Sequence, residues 1–186
     1  MEINKFIKVF DDTCSLKVIA SFIKYLNKLE FDNAALIGGI VNKKIRSTKE
    51  YPFEPNSNKL TDVHWFWFWQ KIIADNLKQY ASQFKHGCST TGMMSLSALK
   101  YEVGDFYTPH IDYFSKYPRN LSVIYFLNND YEGGYVYFQN PFTGEDIIGV
   151  DPRPGRLLVW PSNFIFPHRV DKVTKGRRNV LVSWWT

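Results

Sequence analysis

From Met93 to Trp185 the chain repeats one pattern, short apolar or alternating stretches closed by turn residues. Met93 to Glu102, Leu121 to Leu127, Tyr135 to Phe138, Arg156 to Trp160 and Arg178 to Trp185 read as strands. Asn128-Asn129-Asp130, Gly133-Gly134 and Pro141-Phe142-Thr143-Gly144 read as the turns between them. Many short strands with frequent turns predict two packed sheets, a jelly roll. At 186 residues there is room for one sizeable core and not for two ordinary domains. No repeat, low-complexity tract or linker divides the chain. The expected architecture is α+β but mainly β, one domain over residues 1–186. Within it, 1–92 would serve as helical support and lid, and 93–186 as the jelly-roll core.

The N-terminal half has different signals. Ile3 to Phe10 predicts a first strand, and Asp12 or Thr13 is placed to cap a helix whose apolar positions Leu16, Ile19, Ile23, Leu26 and Leu29 follow helical spacing. Ala34 to Val41 reads as a strand interrupted at Gly38-Gly39. Ile45 to Asn58 is polar and contains Pro52 and Pro55, which marks it as a mobile loop suited to cover a site. Leu60 to Phe84, with the run His64-Trp65-Phe66-Trp67-Phe68-Trp69, predicts a second helix whose rings serve packing.

Chemistry concentrates in the C-terminal half. If residues 107–113 are extended, His110 and Asp112 project from one strand face and can hold one ion from one side. With four histidines and 18 acidic residues in the chain, a bare His-x-Asp pair is weak evidence by itself. A later histidine, His168, can close a three-point face. Two imidazoles and one carboxylate with open positions suit non-haem Fe(II), whereas structural zinc wants four protein ligands and two cysteines exclude a thiolate cage. His64 and His86 lie in no spacing that adds a ligand. Ten residues after His168, Arg178 shares one strand face with Val180, Val182 and Trp184. A cation on an apolar face is costly unless an anion meets it, and a guanidinium fork matches a carboxylate. Arg177, on the opposite face, is the second choice for that clamp.

These residues carry a resemblance. From about Ser95 onward the chain resembles the Fe(II)/2-oxoglutarate-dependent dioxygenases, within them the prolyl 4-hydroxylase-like group. The matching strings are Tyr101-Glu-Val-Gly-Asp-Phe-Tyr107-Thr-Pro-His110-Ile-Asp112, Tyr125-Phe-Leu-Asn128, Glu132-Gly133-Gly134, Pro154-Gly-Arg-Leu-Leu-Val-Trp160-Pro161, then His168 and Arg178. The resemblance implies iron on His110, Asp112 and His168, with 2-oxoglutarate held by Arg178, Tyr125 and Tyr101. It places Tyr107 and Trp184 at the substrate, O2 as second cosubstrate, and ascorbate as the reductant that restores iron after uncoupled cycles. It implies hydroxylation of prolyl residues in a peptide or protein, with release of succinate and CO2. Two readings stand beside it: the same chemistry on a free amino acid, another side chain or a small molecule, and a jelly-roll binding module without turnover. Many prolyl 4-hydroxylases place lysine where Arg178 stands, and arginine occurs in other members.

The remaining composition narrows partners. The net charge of +5 and pI near 9.1 are spread over scattered residues with no Lys/Arg run above two, which speaks against nucleic acid. No apolar stretch reaches membrane-spanning length. The opening residues do not read as a secretory leader, and Cys14 and Cys88 give no disulfide framework, so the expected compartment is the cytoplasm.

Overall fold

The computed structural model describes residues 3–36, 39–86, 88, 90, 92–116 and 118–186. A 3-10 turn, Ile3–Phe6, leads into β1 (Lys8–Phe10) and α1 (Leu16–Leu26). There follow β2 (Asp32–Asn33), β3 (Arg46–Ser47), β4 (Lys49–Phe53) and α2 (Leu60–Ala81). The rest is strand: β5 (Met93–Tyr101), β6 (Phe106–His110), β7 (Leu121–Phe126), β8 (Glu132–Gly133), β9 (Val136–Gln139), β10 (Asp146–Val150), β11 (Leu157–Pro161), β12 (His168–Val170), β13 (Val173–Lys175) and β14 (Arg178–Trp185). A seven-stranded sheet in the order β1-β11-β7-β14-β5-β4-β2 faces a five-stranded sheet, β10-β9-β12-β6-β3, and every described pairing is antiparallel. This is the predicted jelly roll with supporting helices.

Two apolar layers hold it. The outer layer lies between the helices and the larger sheet. α1 contributes Ile19, Phe22 and Leu26, and α2 contributes Phe66, Trp69, Ile73, Leu77 and Tyr80, at helical spacing in both cases. Each fully buried large side chain of this kind contributes about 1.5–3 kcal/mol, so the aromatic run of α2 acts as core, although Trp67 is exposed. Asp62, in the first turn of α2, ties three elements by accepting from Tyr25 of α1 at 2.6 Å and Tyr51 of β4 at 2.7 Å. The inner layer, between the sheets, contains Leu99, Tyr101, Phe126, Phe138, Trp160, Val180 and Val182. β14 feeds both layers by alternation: Val180 and Val182 point inward, Leu181 and Trp185 outward.

The N-terminal expectations need correction. Ile3 to Phe10 is a 3-10 turn followed by a three-residue strand. The cap of α1 is Ser15, whose hydroxyl accepts from the Val18 amide; Thr13 is drawn away to the Gly155 carbonyl, 2.9 Å from its Oγ1. The strand expected over 34–41 is not formed among its described residues; the nearest pairing is that of Asp32 and Asn33, just before it, and Ile37 and Gly38 lie outside the described residues.

The segment 45–58 is not a free loop. Arg46 and Ser47 pair with β6, the whole of β4 pairs with β5, and the Thr48 hydroxyl donates to the Lys100 carbonyl at 2.8 Å as the chain crosses between sheets. Tyr51 and Phe53 bury against the outer layer, which fixes the register that composition hid. Pro52 is tolerated because β2 has already ended and β4 is an edge there. The N-terminal half therefore supplies strands to both sheets, and no structural boundary falls at residue 92. No helix among the described residues is long and apolar enough to cross a membrane.

Candidate active site

His110 is the last residue of β6 and His168 the first of β12, and the antiparallel register sets them directly opposite one another. Their rings lie 4.2 Å apart. Asp112, two residues past the end of β6, turns its buried carboxylate to the same point. Asp112 Oδ1 is 3.9 Å from His110 Nε2, and Oδ2 is 3.6 Å from His168 Nε2. One ligand atom from each of the three falls within 4.8 Å of the others, a group able to hold one metal ion.

The tautomers are set by backbone. His110 Nδ1 lies 2.8 Å from the Thr108 carbonyl and His168 Nδ1 lies 3.1 Å from the Phe166 carbonyl, the same two-residue backward contact in both strands. A carbonyl accepts, so Nδ1 carries the proton and each Nε2 lone pair faces the shared centre. Burial, then the neighbouring His168, pushes His110 down to about 3, so its ring is neutral and ready to ligate. For Asp112, burial acts upward, but His168 and His110 outweigh it and hold the carboxyl below its usual range.

Aromatic rings wall the centre. Tyr107 stacks on His110 with centroids 3.5 Å apart, and Trp160 meets His168 edge-on at 4.9 Å. A cavity of about 180 Å3 opens over the three ligands, bordered by Tyr101, Tyr107, Trp184, Arg46 and Arg119. Arg119 donates to the Asp112 carbonyl at 3.2 Å and lies 3.8 Å over the Trp184 ring. Arg46 is nearly buried, donates to the Ala35 carbonyl at 3.0 Å and stands over Tyr107.

Behind Tyr101 lies Arg178, its cross-strand partner. Arg178 is 0% exposed, its guanidinium 4.6 Å from the Tyr101 ring, and its Nε and Nη2 have no hydrogen-bond partner. No carboxylate among the described residues pairs with it. A cation in that state is costly, and a ligand carboxylate would relieve it. Arg177, by contrast, is on the surface with its Nε 2.8 Å from Glu102, so it does not enter the site.

Six of the eight residues singled out in sequence line this cavity, His110, Asp112, His168, Tyr101, Tyr107 and Trp184, and Arg178 lies behind Tyr101. Tyr125 lies elsewhere. Its ring packs on Trp69 at 4.8 Å in the outer layer and its hydroxyl bonds Thr13 at 2.9 Å, on the far side of the sheet. Every residue of β7 is buried, so no polar-apolar alternation marks its inward face, and that face carries Ile124 and Phe126 instead. Arg46 and Arg119 carry no spacing that would have singled them out.

Comparison with known proteins agrees with this geometry. The profile of the 2OG-Fe(II) oxygenase superfamily matches residues 96–186. Human prolyl 3-hydroxylase 3 is 40% identical over 68 residues, and Gallus gallus prolyl 3-hydroxylase 1 is 38% identical over the same length. Each alignment covers 37% of this chain, and the chain spans about 9% of the relatives' length. A Pseudomonas putida prolyl-4-hydroxylase superposes with a TM-score of 0.72 at 18% identity, covering 97% of this chain and 92% of that one. A Trichoplax adhaerens prolyl hydroxylase in complex with a hypoxia inducible factor peptide fragment gives 0.76 at 18% identity, covering 100% and 87%. These structures share the fold.

Proposed function

Since residues 96–186 match the profile of the 2OG-Fe(II) oxygenase superfamily, we propose that the chain is a dioxygenase of that superfamily that hydroxylates prolyl residues of a peptide or protein. The observation that carries this reading is the open three-ligand group of His110, Asp112 and His168 at the base of an aromatic-walled cavity. The donor set fits Fe(II), and the unpaired Arg178 fits the far carboxylate of 2-oxoglutarate. When bound, iron with 2-oxoglutarate and O2 supplies the oxidation, in which the cosubstrate leaves as succinate and CO2 and a substrate C–H bond gains oxygen.

The protein's share is arrangement. The Thr108 and Phe166 carbonyls hold the two imidazoles with Nε2 forward, and Asp112 supplies the negative charge. Arg119, bonded to the Asp112 backbone and stacked on Trp184, couples the metal ligand to the cavity mouth. Tyr107 and Trp184 border the cavity that a pyrrolidine ring would enter, and the apolar walls keep water from the reacting atoms. Support for a peptide substrate comes from the relatives, which are prolyl hydroxylases, one of them bound to a peptide fragment. Ascorbate as reductant and a cytoplasmic setting belong to the same proposal. The test is succinate release with Fe(II) and 2-oxoglutarate, with and without proline-rich peptides, the peptides then weighed for one added oxygen. Succinate formed without any peptide gaining oxygen overturns the prolyl reading, and no succinate at all overturns the oxygenase.

A further inference from the structure

Two buried serines stand behind the metal-ligand group. Ser122 lies on β7 and Ser162 just past the end of β11, each no more than 1% exposed, with their hydroxyl oxygens 2.7 Å apart. Both follow the inward phase of their strands, Ser122 with Ile124 and Phe126, Ser162 with Leu158 and Trp160. Strand register sets Ser122 between Trp160 of β11 and Trp184 of β14, two side chains that line the cavity. The Ser122 hydroxyl also hydrogen-bonds the Asp112 side chain.

The direction of these bonds follows from what each group can give. An ionised carboxylate only accepts, so the Ser122 proton goes to Asp112. A hydroxyl has one proton, so Ser162 is the donor in its contact with Ser122. The relay runs from Ser162 to Ser122 to Asp112, and each buried proton has an acceptor. Such hydroxyls are costly in an apolar layer, and β7 and β11 do not need them to stay joined. The two strands pair from Leu157 to Pro161, and the Ser162 amide already donates to the Asn120 carbonyl.

Asp112 does need a fixed partner. It lies beyond the end of β6, and Arg119 holds only its backbone carbonyl. The torsion that turns a carboxylate is broad and nearly two-fold. Its two oxygens stand at similar distances from the two imidazoles, 3.9 Å and 3.6 Å, so either could face the ion. We propose that Ser122, itself oriented by Ser162, is the positioning residue for Asp112, engaging one carboxylate oxygen so that the other is left for the metal ion. A carboxylate free to offer both oxygens would close a position that the cosubstrates need. This rests on the metal-site reading above and adds the residues that set the carboxylate's rotation.

The experiment titrates metal-free protein with Co(II), read by visible absorption, and unfolds the same variants in urea. Loss of an outer partner of this kind weakens metal binding about 10- to 100-fold. Ser122→Ala should show that loss with an altered Co(II) spectrum, and Ser122→Thr should restore both. Ser122→Ala also leaves the Ser162 hydroxyl without its acceptor and should unfold at lower urea. Adding Ser162→Ala removes that hydroxyl too, so the urea midpoint should return toward wild type while Co(II) affinity stays low. Co(II) affinity that recovers together with stability in the double variant overturns the proposal and makes the pair structural. Wild-type affinity in Ser122→Ala overturns it as well. If the wild type binds Co(II) no better than His168→Ala does, the metal site itself is refuted, and the proposal with it.

Discussion

Replacing Arg178 by methionine should make the ligand-free protein no less stable while it cripples cosubstrate binding, a combination that a structural arginine could not give. The guanidinium is wholly buried, and two of its nitrogens have no partner. Each unsatisfied buried polar group costs about 1–3 kcal/mol. Against this stands the contact with Tyr101, 4.6 Å from the ring centroid, worth about 0.5–2 kcal/mol when desolvated. Methionine fills much of the same volume with an apolar, adaptable chain. Unfolding free energy should therefore stay level or rise by about 1–2 kcal/mol. Loss of charge-assisted contacts of about 1.5–3 kcal/mol corresponds to roughly 10- to 150-fold weaker 2-oxoglutarate binding. Urea denaturation of the metal-free protein measures the first quantity, and calorimetric titration of the Zn(II)-loaded protein the second. A variant destabilised by more than about 2 kcal/mol with unchanged 2-oxoglutarate affinity would refute the reasoning and make Arg178 a packing residue.

His168→Ala should abolish turnover and sharply reduce bound iron, measured by metal analysis after dialysis, because it removes one of three protein ligands. Tyr125→Phe should lower stability by about 0.5–1.5 kcal/mol through the lost Thr13 bond, and its 2-oxoglutarate titration should match wild type; a weakened titration would return Tyr125 to the site. The metal-free protein should lose stability as pH falls below about 6.5: His110, at about 3 when folded, refuses a proton that the unfolded chain accepts. Since stability rises with pH when the unfolded state binds more protons, the loss should be about 1 kcal/mol by roughly pH 5.5, and denaturation of His110→Gln across that range should show a flatter dependence. Amides of β4 should resist hydrogen exchange without any substrate, because β4 is paired along its whole length with β5; fast exchange there would restore a mobile cover.

Much of the site is legible in sequence because its chemistry is local. His110 and Asp112 are two residues apart, and alternation along one extended segment brings them to one face whatever the rest of the chain does. Arg178 was readable for a related reason: a lone cation among Val180, Val182 and Trp184 marks the phase of β14, and that phase carries through to the inner layer. Turn residues likewise delimit the strands of the C-terminal half.

Tertiary structure decided what local pattern could not encode. β7 is buried on both faces, so nothing in Leu-Ser-Val-Ile-Tyr-Phe says which residues look inward; only pairing with β14 and β11, under the packing of Trp69, turns Tyr125 outward and Phe126 in. The polar composition of 45–58 concealed strands because an edge accepts proline and charge, and its register comes from β5 and β6, tens of residues away. The meeting of Ser122 with Ser162 is of the same kind. Two side chains 40 positions apart in the chain become neighbours through strand register, and neither carries a local signal of the other.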